Sequence, residues 1–180
     1  MLDFLKIATR PGTRGTIEVY PKFKIIKSSD LMIRGGDFYA IWVADRGLWS
    51  TNEQDAIDLI DRELDRYVED NKDRLDGFIK VLYMWDNESG MIDSWHKYCQ
   101  RQLRDNYVML DEKLIFSNTE TTKQDYASKR LSYPLEAGEC PAYEKLVSTL
   151  YSEEERHKIE WAIGSIISGD SKKIQKFMVL

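Results

Sequence analysis

"DFYAIWVADRGLWSTNEQDAIDLIDREL", residues 37–64, changes period in its middle, and that change sets the fold class. Up to Trp49 the apolar residues come in short runs, "FYAIWV" and "GLWS", separated by Asp45-Arg46-Gly47. Aromatic and β-branched runs of this length suit a pleated, half-buried strand, and Asp and Gly suit the reversal between two of them. After Ser50 the apolar residues recur at three- and four-residue steps, at Ile57, Ile60, Leu64 and Tyr67. That spacing is the stripe of an amphipathic helix. "STNEQ" lies at the switch and offers two overlapping capping boxes, Ser50 with Glu53 and Thr51 with Gln54. Asp58, Asp61 and Asp65 fall opposite the stripe and read as a solvated helix face.

Working outward, "TIEVY" (16–20) and "FKIIK" (23–27) read as two strands with Pro21 between them. "LMIR" (31–34) is a further strand, and "GGD" supplies a turn after it. The expectation is a small antiparallel meander with Trp42 and Trp49 packed inside it. Beyond the first helix, "FIKVLYMW" (78–85) is too short for periodicity to decide, and the reading leans to helix. Ile92, Trp95, Cys99 and Leu103 mark a firmer helix. "KLIFSN" (113–118) reads as a short strand, and "LSYPLEAGECP" (131–141) as an irregular crossing. Two helices close the chain. Pro141 suits a first turn, and Tyr143, Leu146, Val147 and Leu150 form one stripe. Ser152 with Glu155 caps the second helix. Ile159, Ile163, Ile166 and Ile167 are expected on its inner face, with Gly164 admitting another helix. Ser168-Gly169-Asp170 stops it. The fold class expected is α+β: a β-rich subdomain over 1–52, an antiparallel meander, followed by a mainly helical region over 53–180.

A chain of 180 residues with 12% aromatics can bury a core without metals or disulfides. The formal net charge of −5 argues against a dedicated basic nucleic-acid domain but allows a local basic patch. Cys99 and Cys140 read as reduced thiols in a cytoplasm, and no apolar run reaches the roughly 18 residues of a membrane span. His96 and Cys99 sit three apart on one helical face, but with Cys140 and His157 they match no common zinc spacing. Phosphate loops, nucleophile elbows and strand-borne carboxylate pairs are lacking. No catalytic, cofactor-binding or metal-ligating residue is therefore expected in this chain. Basic residues gather in three places: Lys22, Lys24 and Lys27 with Arg34, then Lys129 with Arg130, then Lys172, Lys173 and Lys176. The first group is the candidate DNA-facing surface, with Lys22 and Lys24 on one face by strand alternation.

The order of segments carries a resemblance. "DFYAIWVADRGLW", a helix, "LDEKLIFSNTETTKQDYASKRLSYPL" and "CPAYEKLVSTLYSEEERHKIEWAIGSIISGDSKKIQKFMVL" together resemble the region before the motor of phage superfamily-3 helicases, of the phage and poxvirus primase-helicase type. The shared points are Tyr126, Arg130, Leu131 and Tyr133, then the Ser168-Gly169-Asp170 turn leading into "KFMVL". The resemblance runs from about Asp30 to Leu180, and its specificity lies in the order of loose motifs. It implies a ring-shaped, hexameric, ATP- and magnesium-dependent DNA replication helicase as the parent. This chain would be its N-terminal accessory part, a cytoplasmic phage protein in a bacterial host. Its partners would be DNA, its own motor domain and neighbouring subunits, with no membrane. The closing apolar run reads as the first strand of the absent motor, so the chain is expected to be cut from a larger protein. Without a phosphate loop, no ATPase activity is expected of it. Two other classes stay open: a free-standing interaction protein that binds a replication helicase, and a primase-type nucleotidyl transferase.

Overall fold

The computed structural model describes residues 2–24, 32–35, 38–75, 77–87, 90–103 and 108–174. It divides into two compact units, 1–109 and 110–180. The first unit holds β1 (Leu5–Pro11), β2 (Thr16–Phe23), β3 (Met32–Gly35), β4 (Phe38–Val43), β5 (Leu48–Ser50), α1 (Glu53–Asn71), β6 (Phe78–Val81) and α2 (Met91–Leu103). The second holds α3 (Pro141–Leu150), α4 (Glu153–Ser168) and the single turn α5 (Ser171–Ile174). The class is α+β, with strands first and helices later.

The strands form two sheets among the described residues. β3, β4 and β5 make the antiparallel meander that the sequence suggests, with Trp42 opposite Trp49 and their rings edge to face. Trp49 is fully buried. The other sheet has the order β1-β2-β6, and three of its features depart from the sequence reading. First, β1 has no counterpart in that reading; it runs antiparallel to β2 from Leu5↔Phe23 to Pro11↔Ile17. Second, residues 78–81 of "FIKVLYMW" are strand, not helix, and pair parallel to β2 from Thr16↔Phe78 to Val19↔Val81. So short a run cannot express a period, and its partner lies far upstream in the chain. β2 also runs straight through Pro21 instead of breaking there. The Leu82 N–H donates to the Val19 carbonyl on the β6 side. Pro21, two residues on, lacks its N–H on that same side, where the pairing with β6 has ended. "FKIIK" as a separate strand falls largely outside the described residues.

The core of this unit gathers Leu2, Phe4, Leu5, Ile41, Val43, Ala56, Ile57, Ile60, Met84, Trp95, Tyr98 and Cys99. α1 begins at Asn52, whose side-chain oxygen accepts the Gln54 N–H at 3.1 Å. Neither predicted capping box forms. Ser50 instead donates to Asp55 Oδ2 at 2.5 Å, and Arg46 grips the same carboxylate from the β4–β5 turn. The acidic face of α1 is also not simply solvated. Asp61 accepts the backbone N–H groups of Met84 and Trp85 at 2.7 and 3.2 Å, and Asp65 accepts the Tyr83 hydroxyl at 2.5 Å. These carboxylates pin the segment after β6 to the helix.

In the second unit "KLIFSN" is not the expected strand: residues 113–118 run from a bend to a turn and form no ladder among the described residues. It is stitched to residues 131–133 by the Leu131 N–H to the Ile115 carbonyl and the Ser117 N–H to the Tyr133 carbonyl, at 2.7 and 3.1 Å. Asp111 accepts the Ser128 N–H and hydroxyl, and the Asn118 amide bridges both backbone groups of Leu135. Side chains thus do here what a ladder would otherwise do. Pro141 occupies the first turn of α3. The Ser152–Glu155 capping box forms, and Gly169 ends α4 in the left-handed conformation. The supposed inner face of α4 is open: Ile163 and Ile166 are 45% and 55% exposed. No helix among the described residues approaches Gly164, where an added Cβ would meet nothing within 4 Å. The closing run "KFMVL" lies outside the described residues.

Candidate nucleic-acid interface

β2 and α2 pack beside each other and leave a groove of about 440 Å³ between them. Its β2 side is Tyr20, Pro21, Lys22 and Phe23, and its α2 side is Met91, Ser94, Lys97, Tyr98 and Arg101. The local sequence explains the helix side. Trp95 and Cys99, four apart, bury one face of α2 in the core. Ser94, Lys97 and Arg101 then fall on the neighbouring flank at three- and four-residue steps. The strand side follows from Pro21: β6 pairs with β2 only as far as Val19, so the rest of that edge is left to α2.

Three cations therefore converge on one concavity, from two elements remote in sequence. Aromatic rings form its floor. Phe23 and Tyr98 lie stacked with centroids 5.4 Å apart, and Trp95 packs against both. The Tyr98 side chain is only 6% exposed. Its hydroxyl has no hydrogen-bond partner among the described residues. Burial is the first cause that pushes its pKa well above the ordinary value, so it is a donor at any physiological pH. A buried donor without an acceptor is rare and costs stability. The charged groups that act on this hydroxyl are Cys99 and Asp3, whereas Lys22, Lys97 and Arg101 line the groove and face any anion that enters it. The chemistry of the wall fits a phosphodiester backbone, and the rings fit bases.

Of the four residues singled out from sequence, only Lys22 lines this groove. Lys24 is exposed just past β2, where its N–H donates to the Phe4 carbonyl at 2.8 Å. Lys27 lies outside the described residues. Arg34 lies in β3, opposite Tyr39 and in the other sheet, and its side chain is outside the described part. Lys97 and Arg101 escape the sequence reading. Their i, i+4 spacing flanking the apolar face of α2 is visible in the sequence, but the pairing of that flank with β2 is not.

The other candidate chemistry resolves into packing. His96 Nε2 meets Glu53 Oε1 at 2.5 Å, and the buried Cys99 thiol is pushed far up by desolvation. Among the described residues no group of three or more His, Cys, Asp or Glu is arranged to hold a metal ion. Tyr126, Arg130, Leu131 and Tyr133 lie in the stitched part of the second unit. Arg130 donates to Thr121 Oγ1 at 2.7 Å, and Tyr133 packs edge to face on Phe116. No helix among the described residues is long and apolar enough to cross a membrane. No protein-family model, curated protein or solved structure matches the chain.

Proposed function

We propose that the chain binds single-stranded nucleic acid in the β2–α2 groove, as an accessory module of a DNA replication helicase. The observation that carries the binding reading is the convergence of Lys22, Lys97 and Arg101 on one groove that Tyr20 and Phe23 also line. Phosphate oxygens pair with the cations, while Tyr20 and Phe23 offer ring surface to bases. An overall charge of −5 is compatible with this, because the groove concentrates its cations locally. The helicase part of the reading is supported by segment order alone.

The test is fluorescence anisotropy of a labelled oligothymidylate with the full chain at low and moderate salt. Binding is expected to weaken with salt, and Lys97→Glu with Arg101→Glu should abolish most of it. The slope of log affinity against log salt should fall by about 0.7 for each phosphate that is no longer neutralised. Salt-insensitive binding, or unchanged affinity in the double variant, would reject the groove. The helicase reading is tested separately: reading the gene past codon 180 should give an open frame encoding Gly-Lys-Ser/Thr, and a stop codon would reject it.

A second reading, a protein that docks on a replication ring, is favoured by one observation. Leu146 and Leu150 on α3, and Trp161, Ile163 and Ile166 on α4, are all at least 45% exposed. Exposed apolar side chains gathered on two adjoining helices mark interaction surfaces more often than plain solvent-facing ones.

A further inference from the structure

The β1-β2-β6 sheet turns one face to the core and the other to solvent. Leu5, Ile7 and Phe23 belong to the first face and pack in the core, and Val19 is buried on it. The alternate residues belong to the second face, because side chains alternate along a strand and cross-strand partners share a side. The register sets Lys6 opposite Lys22, Ala8 opposite Tyr20 and Arg10 opposite Glu18. It continues into β6 with Glu18 opposite Lys80 and Thr16 opposite Phe78. Two contacts agree with the shared side. Arg10 Nε donates to Glu18 Oε2 at 2.7 Å, and the Arg10 guanidinium lies over the Tyr20 ring, 5.0 Å from its centroid.

Among the paired residues, this face carries Lys6, Arg10, Lys22 and Lys80 against one acid, Glu18. Arg10 neutralises Glu18, so an excess of positive charge remains. Lys6 and Lys22 are exposed and stand directly opposite each other, an arrangement that destabilises a ladder by repulsion. An anion seated between them turns that repulsion into two charge-assisted contacts. The face also carries rings. Tyr20 is partly exposed near its centre, and Phe78 is 80% exposed toward its far end. Rings set among cations suit a strand whose bases stack while its phosphates pair with lysines. From Lys22 to Thr16, β2 runs about 20 Å, so such a strand has several nucleotides of room. Tyr20 and Lys22 also line the β2–α2 groove, which makes the groove and this face continuous.

We infer that the solvent face of this sheet is a second contact surface for single-stranded nucleic acid, with a phosphate between Lys6 and Lys22 and a base on Phe78. This rests on the groove reading and extends the same strand's footprint from β2 onto β1 and β6.

Anisotropy of the full chain with labelled oligothymidylates of about 4 and about 16 nucleotides tests it. The longer one is expected to bind more tightly. Phe78→Ala should weaken the longer one by at least about fivefold and leave the shorter one unchanged, since the groove alone holds the shorter. The urea midpoint should not move, because the ring is exposed. Lys6→Glu should also weaken the longer one, while its urea midpoint holds or rises, because an opposite-charge pair replaces a like-charge one. Weaker binding with undiminished stability cannot come from misfolding. Wild-type affinity of Phe78→Ala and Lys6→Glu for the longer oligonucleotide would overturn the inference and leave the groove reading standing. Wild-type affinity of the Lys97→Glu, Arg101→Glu variant for both lengths, with the longer one still weakened by Phe78→Ala, would reject the groove and leave the sheet face as the binding surface. No binding of either length would overturn both.

Discussion

Tyr98 combines a packed ring with an unpartnered hydroxyl, and a single substitution separates the two. Its ring belongs to the core, stacked near Phe4 and Phe23, and is needed for packing. Its hydroxyl is buried with no acceptor among the described residues. Tyr98→Phe keeps the ring and removes the orphan donor, so stability should hold or rise by about 1 kcal/mol. Affinity for oligothymidylate should stay unchanged, because the hydroxyl is enclosed and the cations that line the groove are untouched. Urea unfolding and anisotropy on the same variant check both halves. A fall in affinity with stability intact would mean that the hydroxyl reaches the ligand. Asp61 shows the converse arrangement. Burial raises its pKa above the ordinary carboxylate value, although the Met84 and Trp85 N–H groups pull against that. The sequence shows only an acid on the polar side of a helix; its role appears when residues 84 and 85 come to rest on it.

At the scale of elements, the junction between β5 and α1 depends on Asp55. Burial pushes its carboxyl up, but the Ser50 hydroxyl and the Arg46 guanidinium outweigh this, and its pKa lies below the usual carboxylate range. A depressed pKa means that the ionised form is held better in the folded chain than in the unfolded one. The stabilisation is therefore complete above about pH 4 and is lost as pH falls through the folded value. Asp55→Asn should lower stability at pH 7 by about 1 kcal/mol, a modest figure because Arg46 is largely solvent-facing. That deficit should shrink when urea midpoints are measured below about pH 4, and a deficit that stays constant with pH would exclude the ionic clamp. α4 offers a matched pair of glycines. Gly164 is helical and open around its Cα, so Gly164→Ala should stabilise by about 0.5–1 kcal/mol. Gly169 has φ +80°, and an added Cβ would lie 2.9 Å from the Glu112 carbonyl oxygen. Gly169→Ala should destabilise by about 1–2 kcal/mol or more. Thermal unfolding followed by far-ultraviolet circular dichroism should move in opposite directions for the two variants.

For the whole molecule, the proposed nucleic-acid groove and the exposed apolar stripe of α4 belong to different units. The groove lies within residues 1–109 and the α4 stripe within 110–180. Ile163→Asp should leave the affinity for a short oligothymidylate unchanged.

Local chemistry determined much of this protein without help. The period change at Ser50, the Ser152–Glu155 box, Pro141 in a first turn and Gly169 at a helix end each act over a few residues, so they can be read from neighbours in the chain. The strand identity of Phe78–Val81 could not be read in that way, because its cause is a parallel partner at Thr16–Val19. The same holds for the groove. Lys22 stands out by itself as a strand lysine, but Lys97 and Arg101 become its neighbours only when α2 packs along the part of β2 that β6 leaves unpaired. Sequence decided where α4 starts and stops and which face of α1 is apolar, since those depend on short-range sterics and hydrogen bonds, but the start of α1 at Asn52 was settled by contacts that drew Ser50 to Asp55 instead. Tertiary structure decided which faces are covered and which cations meet, since both depend on contacts between residues far apart in the chain.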